Sequence, residues 1–203
     1  MSNNLHFDPV HHVYTLAGRV VPSVTQALKV LECFEGIPPD VLEAARIRGQ
    51  HVHAACDLID RDQLDWQSLD PALLPYMEGY RNWLTDSDVT ITASELRVAN
   101  TINGYAGTLD RLAALKNAEA LIDVKATAVL PVTVGPQTAA YANAYAVESG
   151  RKAPRRYCLH LSPAHRRGYK FTALTDPSDW SVFLSCLNVW KFRNKHIGEQ
   201  HAA

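Results

Sequence analysis

Two aspartates and one lysine have the clearest capacity for chemistry in this sequence. Asp123 and Lys125 lie two residues apart on a predicted strand, so their side chains point to the same face, and their neighbours on the strand are apolar. A carboxylate and an ammonium in such a central strand are costly unless they are paired or bind a metal. Asp110 lies on the preceding predicted strand, and a hairpin of that length can place its carboxylate beside that of Asp123. Two close carboxylates repel each other, and a divalent cation commonly relieves the repulsion.

Oxygen ligands of this kind predict Mg²⁺ or Mn²⁺. Such an ion can lower the pKa of a bound water and shield the charge of a phosphodiester. Lys125 would then orient the attacking water or stabilise charge in the transition state. The same residues also allow a simpler interpretation, in which Asp123 and Lys125 form a structural ion pair at the edge of a strand.

The next predicted helix carries polar side chains suited to a nucleotide. Gln137 and Tyr141 are four residues apart and are therefore neighbours on one helical face, which Tyr145 extends. An amide and a phenol can hydrogen bond to a nucleotide and stack on it near the metal. The alternative is an ordinary amphipathic helix. The position directly after Asp123 and Lys125 favours the nucleotide.

Two histidines and a glutamate are further candidates. His51 and His53 are two residues apart on a predicted helix and do not face each other, so a zinc site built from both is a weak hypothesis. His53 could reach the sheet as one metal ligand, or be an ordinary hydrogen-bonded histidine. Glu95, on the strand beside that of Asp110, is either a further acidic group near the metal or a solvent-facing glutamate. The sequence slightly favours the solvent-facing position.

The elements that position these residues follow from hydrophobic periodicity. A hairpin is predicted over 6–21, and Ser23 with Gln26 has the spacing of a capping box for a short helix reaching about Leu31. Gly49 interrupts the second predicted helix and suggests a close approach. The remaining predicted elements are helices over 40–61 and 72–84, a meander of strands over 89–98, 105–115 and 120–125 with a turn at 116–119, a helix over 137–149, strands over 156–161 and 169–174, and a helix over 176–195.

This order of elements predicts an α+β fold with a central mixed β-sheet flanked by helices and an N-terminal hairpin. No linker divides the chain, so we expect a single domain over 1–203. Within it the hairpin and helices occupy 1–86, the catalytic core 87–175 and the C-terminal helix 176–203.

Composition limits the class of protein. The 203 residues are 47% hydrophobic and 20% charged, which is ordinary for a soluble globular chain, and no apolar run is long enough to span a membrane. The four cysteines lack C-x-x-C spacing, which argues against a zinc ribbon, a disulfide scaffold or an iron–sulfur cluster. The N-terminus lacks the features of a signal peptide. We therefore expect a cytoplasmic protein.

The net charge of −1 conceals an asymmetry. Residues 1–110 hold 7 basic and 15 acidic side chains, whereas residues 111–203 hold 13 basic and 6 acidic side chains. A basic half can hold a polyanion while upstream carboxylates bind a metal, although two solvated faces of opposite sign are the simpler alternative. The basic clusters 151–156 and 166–170, the second of which contains Arg166 and Arg167, are expected to grip phosphates without reading bases.

Together these residues resemble the PD-(D/E)XK nuclease superfamily, specifically its RecB-like branch. That branch has R-G-x-x-x-H on a helix, followed by G-x-x-D, (D/E)-x-K and Q-x-x-x-Y. The matching residues occur here in the same order: Arg48, Gly49 and His53, then Gly107 and Asp110, then Asp123 and Lys125, then Gln137 and Tyr141. Each match is weak by itself, but the ordered set is specific. The hairpin and the segment 21–25 are more loosely similar to phage- and prophage-encoded members, including recombination exonucleases.

The resemblance implies that Mg²⁺ or Mn²⁺ is held by Asp110, Asp123 and the carbonyl of Val124, and that His53 joins the metal shell. It also implies that Lys125 is the catalytic lysine. The DNA-contacting residues that it implies are Arg48, Gln137 and Tyr141. The chain departs from the pattern in two ways, because no proline precedes Asp110 and the second carboxylate belongs to Asp rather than Glu.

Some RecB-like members carry a four-cysteine iron–sulfur cluster, which the cysteine spacing here does not support. The chain has no helicase motif, so a motor, or a single-strand annealing protein, would be a separate partner.

The sequence therefore predicts a metal-dependent deoxyribonuclease. We expect an exonuclease rather than a site-specific endonuclease, because the chain leaves little room for a separate sequence-reading domain. Its expected setting is phage or prophage DNA recombination or repair in a bacterial cytoplasm, with DNA as partner and no membrane. Two alternatives stay open: a structure-specific endonuclease for flaps or branches, and a catalytically silent DNA-binding module of nuclease fold. The intact set of Asp110, Asp123 and Lys125 speaks against the silent module.

Overall fold

The alternating and helical patterns of the sequence become strands and helices in the computed structural model, which describes residues 4–31 and 38–200, with side chains as far as residue 195. The strands are β1 (Leu5–Asp8), β2 (Val13–Leu16), β3 (Arg19–Val21), β4 (Val89–Asn100), β5 (Tyr105–Leu115), β6 (Ala118–Lys125), β7 (Arg155–Leu161) and β8 (Tyr169–Ala173). The α-helices are α1 (Val24–Leu28), α2 (Pro39–Asp60), α3 (Leu74–Asp86), α4 (Val134–Ser149) and α5 (Asp179–Gln200).

The large sheet has the order β4-β5-β6-β7-β8. β6 and β7 run parallel, and the other neighbours run antiparallel. A parallel pair needs a crossover connection, and α4 supplies it between β6 and β7. The predicted α+β fold with a mixed sheet flanked by helices is confirmed.

The N-terminal hairpin contains one more strand than a simple hairpin. β1, β2 and β3 form a separate antiparallel sheet. Ala17 and Gly18 connect β2 to β3, and both have positive φ (49° and 78°), as a two-residue type I′ turn requires. The capping box of α1 is confirmed: the N–H of Gln26 donates to Oγ of Ser23 at 3.0 Å, and the N–H of Ser23 donates to Oε1 of Gln26 at 2.9 Å.

Element ends differ from the predicted ones for local reasons. The turn between β5 and β6 is limited to Lys116 and Asn117, which both have positive φ, so β6 begins at Ala118. α4 begins at Val134, three residues before the predicted start. Pro136 is tolerated in its first turn because the missing N–H has no partner there within the helix.

Adjacent residues of the central strand β6 point into opposite apolar layers. Leu121 packs in the layer that α1, α4 and α5 cover, together with Leu109 and Phe183. Ile122 packs in the layer that α2 and α3 cover, together with Trp83. The alternation continues along β6, so Asp123 and Lys125 lie on the α4 side of the strand.

Within the described residues no helix is long and apolar enough to cross a membrane. Cys56, Cys158 and Cys186 are buried and free of disulfides. Cys33 lies outside the described residues.

Two helix glycines meet different surroundings. The expectation that Gly49 marks a close approach is wrong for the described chain, because a Cβ at this position of α2 would meet nothing within 4 Å. Gly79 of α3 does lie at a close approach, since a Cβ there would be 2.7 Å from the carbonyl carbon of Gly168. Gly168 has φ +77°, which a side chain would also disfavour. The loop after β7 therefore packs backbone to backbone on α3.

Replacing Gly79 by Ala should lower the free energy of unfolding by about 1–3 kcal/mol, because the methyl group collides with the backbone of the loop after β7. Urea denaturation measures the change. Gly49→Ala is the matched control, and it should raise stability by about 0.5–1 kcal/mol because the alanine enters a helix interior with open space beside it. Equal effects of the two substitutions would contradict the close approach.

Candidate metal centre and active site

β5 and β6 separate at the residues that the sequence singles out. Their antiparallel pairing ends at Arg111 and Ile122, although β6 continues beside β7 as far as Lys125. The next residue on each strand is an aspartate, Asp110 on β5 and Asp123 on β6. The two carboxylates therefore lie where the sheet opens, at a gap that side chains from both apolar layers can reach.

The side chain of Asp110 replaces the missing backbone contact across this gap. Its Oδ2 accepts a hydrogen bond from the N–H of Val124 at 2.7 Å. Its Oδ1 lies 3.6 Å from Nδ1 of His53 on α2. Asp110 is buried and touches both β6 and α2, so its carboxylate has a fixed position.

Asp123 and Lys125 form an ion pair in the interior of the sheet. Nζ of Lys125 lies 2.7 Å from Oδ2 of Asp123. The pair stands at the end of β6, beyond the last residue that pairs with β5 and beside β7, so the simpler interpretation of a structural ion pair stays open. Asp123 is 1% exposed, and among the described residues neither of its oxygens has a hydrogen-bond partner of good geometry. The carboxylate therefore keeps unused capacity to accept hydrogen bonds or bind a cation.

Burial, together with the charge of Asp110, disfavours the ionised form of the other carboxylates at the gap. Burial raises the pKa of Asp123 to about 6, although the charge of Lys125 opposes the rise. Burial also raises the pKa of Glu95, and the charge of Asp110 adds to it. Burial disfavours the charged form of Lys125, but the carboxylates of Asp123 and Asp110 together oppose it and the pKa of Lys125 is raised. A divalent cation is the usual means of offsetting such a cluster of carboxylates.

His53, Glu95 and Asp110 form a group whose possible ligand atoms all lie within 4.8 Å of one another. Nδ1 of His53 is 3.9 Å from Oε1 of Glu95. Glu95 faces Asp110 across the sheet, between the paired residues on either side, and its φ of +48° is uncommon for a side-chain-bearing residue within a strand. The sequence favoured a solvent-facing Glu95. The side chain is indeed half-exposed, and its carboxylate also belongs to this group of possible ligands.

α2 borders an open cleft of about 550 Å³ in front of the group. The residues lining it are Gly49, Gln50, His53, Ala54, Asp57 and Glu95. Gly49 is one helical turn before His53, so the absence of a side chain leaves space beside the imidazole. His51 is exposed and does not contribute to the group of ligand atoms. The two histidines thus lie on different sides of α2, as a spacing of two residues on a helix requires.

A buried arginine supports the site, and sequence reasoning missed it. Arg111 is fully buried, and its Nε donates to a carboxylate oxygen of Asp60, the last residue of α2. Its Nη1 donates to the carbonyl of Asp110 at 2.8 Å and lies 3.5 Å from Oε1 of Glu95. The hydroxyl of Tyr80 on α3 donates to Asp60 at 2.7 Å. A charged residue within the apolar alternation of β5 was the available signal, since such a charge must be paired.

Gly107 and Tyr141 are linked by packing. A Cβ on Gly107 would lie 2.5 Å from Cε1 of Tyr141, so the ring lies directly against the backbone of β5. Nε2 of Gln137 donates to the hydroxyl of Tyr141 at 3.4 Å, as the spacing of four residues predicts. Tyr145 does not extend this face toward the site, because its hydroxyl donates to Glu119 at the far end of β6.

The basic residues divide between the two ends of the sheet. The cluster 151–156 runs into the first two residues of β7, and the first of them, Arg155, pairs with Ala120, so the cluster lies at the end opposite Lys125. Two of its arginines are engaged within the protein, Arg151 with Glu119 at 3.3 Å and Arg156 with Asp179 at 2.7 Å. The cluster thus lies away from the gap, and its grip on phosphate stays a prediction.

The segment after β7, which carries Arg166 and Arg167, begins at the same sheet end as Lys125, because Lys125 pairs with His160. Arg166 is exposed, and Arg167 forms a surface ion pair with Asp86 on α3. At this end of β6, Nε of Arg48 also donates to the carbonyl of Ala126 at 3.4 Å.

The residues at the gap fit a divalent cation. Carboxylate oxygens are the ligands that Mg²⁺ and Mn²⁺ prefer, and imidazole also suits Mn²⁺ in mixed sites. The buried, unpartnered oxygen of Asp123 is the observation that speaks most directly for a missing positive partner, because buried carboxylate oxygens are normally satisfied.

No protein-family model and no curated protein matches the chain. Among solved structures the chain is similar to one titled "Crystal Structure of LHK-Exo in complex with dAMP", with a TM-score of 0.40, 11% sequence identity and coverage of 90% of this chain and 93% of that chain. It is also similar to "Crystal structure of SSO0001", with a TM-score of 0.40, 9% identity and coverage of 60% of this chain. The chain spans 58% of the length of that second protein. At this degree of similarity neither structure bears on the activity of this chain.

Replacing Arg111 by Met should lower the free energy of unfolding by about 3–5 kcal/mol, because Asp60 is left as an unpaired buried charge. The double variant Asp60→Asn/Arg111→Met should recover much of this loss, since Asn removes the charge and still accepts the hydrogen bond of Tyr80. Urea denaturation measures both. The double variant should nevertheless bind Mn²⁺ more weakly than the native protein in calorimetry, because Arg111 no longer holds Asp110 and Glu95. Native-like stability of the single variant would contradict the role of the pair.

Proposed function

We propose that this chain is a metal-dependent deoxyribonuclease that hydrolyses phosphodiester bonds, and that it acts as an exonuclease. The observation that carries the proposal is the convergence of five side chains at the gap between β5 and β6: His53, Glu95, Asp110, Asp123 and Lys125. Cation ligands beside a fixed positive charge are the groups that phosphodiester hydrolysis uses, because negative charge develops on the phosphate oxygens.

The carboxylates and the imidazole of the gap would hold Mg²⁺ or Mn²⁺. Asp110, His53 and Glu95 would supply ligands from three different elements, and Asp123 would add its unpartnered oxygen. The resemblance to RecB-like nucleases adds the carbonyl of Val124. When bound, the ion would lower the pKa of a water molecule and shield the charge of the phosphate.

Lys125 would act as a positioned cation. Its ammonium is held by Asp123 at 2.7 Å and stays protonated because that carboxylate favours the charged form. An ammonium has three N–H donors, so after binding Asp123 it can still donate to a water or to a phosphate oxygen. A charge fixed before the reaction stabilises developing negative charge without reorganisation at the moment of cleavage.

DNA would approach from the end of the sheet where β6 and β7 finish. Arg48, Arg166 and Arg167 lie on segments that meet this end, and Gln137 and Tyr141 lie in the first half of α4. Arginines that contact phosphates give binding without sequence preference and with strong salt dependence. Arg167 would exchange Asp86 for a phosphate, at little cost because that ion pair is at the surface.

The ordered RecB-like motifs support action at DNA ends, in phage or prophage recombination or repair. In that setting the nuclease would work beside a separate single-strand annealing or helicase protein. The structure-specific endonuclease and the silent DNA-binding module are outcomes of the following test.

Incubating the protein with end-labelled linear DNA and closed circular DNA, each single- and double-stranded, tests the proposal on one gel. With Mg²⁺ or Mn²⁺ we expect linear DNA to shorten from its ends while closed circles stay intact. EDTA should stop the reaction because the ligand group then holds no cation. Cleavage of circles, or of flaps and branches alone, would instead identify an endonuclease. Binding without cleavage in either metal would identify a silent module.

Substitutions at the site should separate metal binding from chemistry. Asp110→Ala, Asp123→Ala and His53→Ala should weaken Mn²⁺ binding in calorimetric titration and reduce cleavage by at least about 10²-fold, a loss typical of removing a group that stabilises transition-state charge. Lys125→Ala should lose cleavage to the same extent but keep Mn²⁺ affinity, because Lys125 is not a ligand.

His51→Ala is the matched control for His53→Ala, since both change a histidine of α2 and His51 is exposed outside the ligand group. It should leave Mn²⁺ affinity and cleavage near the native values. Unchanged metal binding in both aspartate variants would contradict the site, and equal losses in the two histidine variants would mean that the helix was damaged.

A further inference from the structure

The segment 126–133, which connects β6 to α4, exposes two apolar side chains beside the candidate active site. Val129 is 80% exposed and Val132 is 82% exposed. None of the eight residues of the segment is charged. These two exposed apolar side chains, three residues apart in a segment that follows Lys125, are free to contact a small ligand.

Hydrogen bonds hold the start of this segment. The carbonyl of Ala126 accepts from Arg48, and the carbonyl of Thr127 accepts from Nε2 of His160 at 2.7 Å. With its Nε2 proton directed to Thr127, the ring of His160 accepts at Nδ1, where Nε2 of His165 lies 3.0 Å away. Arg48 from α2 and His160 from β7 thus hold the start of the segment, and His165 from the loop after β7 supports His160.

The end of the segment is also held. The N–H of Val134 donates to the carbonyl of Pro131 at 3.2 Å, and Val134 is buried at the start of α4. Because both ends are fixed, Val129 and Val132 are presented at a defined place.

That place lies between two parts of the proposed active site. Lys125 immediately precedes the segment, and Gln137 follows it on α4. Consecutive Cα atoms are about 3.8 Å apart, so the Cα of Val129 lies no more than about 15 Å from that of Lys125. The segment therefore begins beside a nucleotide whose phosphate reaches Lys125, and its valines lie within the length of one or two nucleotides from that lysine.

We propose that Val129 and Val132 form an apolar contact surface for a nucleobase of the DNA strand that is being cleaved. The inference rests on the proposed nuclease function and deepens it, because it assigns a base-contacting surface in addition to the phosphate contacts. The contact would be insensitive to base identity, since every base offers an apolar face.

A nucleobase fits this surface better than a protein partner does. A stable protein interface buries about 800 Å² on each side, far more than two valines offer. The uncharged segment is bordered by Arg48 and Lys125, whose positive charges suit the backbone that carries the base. A base that meets the valines also keeps its polar edges free for solvent or for Gln137.

A binding cycle that changes both the protein and the DNA tests the proposal. The protein arm compares the native chain with Val129→Ser/Val132→Ser. The DNA arm compares a labelled oligonucleotide with the same oligonucleotide carrying abasic sites at its terminal positions. Fluorescence anisotropy gives Kd, with Ca²⁺ in place of Mg²⁺ to suppress cleavage, and the Mg²⁺-dependent cleavage of each protein is recorded in parallel.

We expect the double variant to bind the intact oligonucleotide about 5- to 10-fold more weakly, and the abasic oligonucleotide within about 2-fold of the native chain, as loss of one base contact predicts. Val189→Ser, which alters a half-exposed valine on α5, is the control and should bind both DNAs as the native chain does. Thermal unfolding checks that the double variant is folded.

An equal loss on intact and abasic DNA, or no loss on either, would overturn the base contact. If in that case the native chain still cleaves DNA, the proposed function stands and the valines contact something other than a nucleobase. If the native chain neither binds nor cleaves DNA, the proposed function fails, and the base contact fails with it.

Discussion

The buried ion pair between Arg111 and Asp60 is the interaction on which the site depends. Arg111 comes from β5, Asp60 ends α2, and Tyr80 brings α3 to the same carboxylate. Removing two charges from water costs several kcal/mol each, so the pair is tolerable only because the charges meet each other and further polar groups. The same guanidinium holds the backbone of Asp110 and approaches Glu95. It thereby fixes α2, and His53 with it, against the sheet.

The candidate site consists of departures from a regular sheet. In an uninterrupted ladder β5 and β6 would pair past Arg111, and backbone groups would occupy the space that the carboxylate of Asp110 now fills. A left-handed residue at Glu95 redirects a third carboxylate, and Gly107 lets the ring of Tyr141 lie on β5. Such departures cost conformational energy, and they persist because the surrounding packing determines them.

Basic and acidic residues are concentrated in different halves of the chain, but many of them form ion pairs in the folded structure. Arg151, Arg156 and Arg167 each meet a carboxylate of the protein, and Arg111 is buried with Asp60. The basic half of the chain therefore does not form one continuous surface for binding a polyanion. The carboxylates of Glu95, Asp110 and Asp123 gather at the gap between β5 and β6, and the candidate DNA contacts gather at the adjoining end of the sheet.

Local periodicity by itself determined much of this fold: the period of two placed Asp123 and Lys125 on one face of a central strand, and helical spacing separated His51 from His53. The tertiary structure alone decided that Glu95 joins the candidate metal ligands His53 and Asp110 and that Arg111 lies against them. Both outcomes arise from contacts between elements far apart in the chain and, for Glu95, from one backbone angle, neither of which a periodic pattern encodes. Periodicity reports which way a side chain points, whereas pairing and packing decide what it meets there.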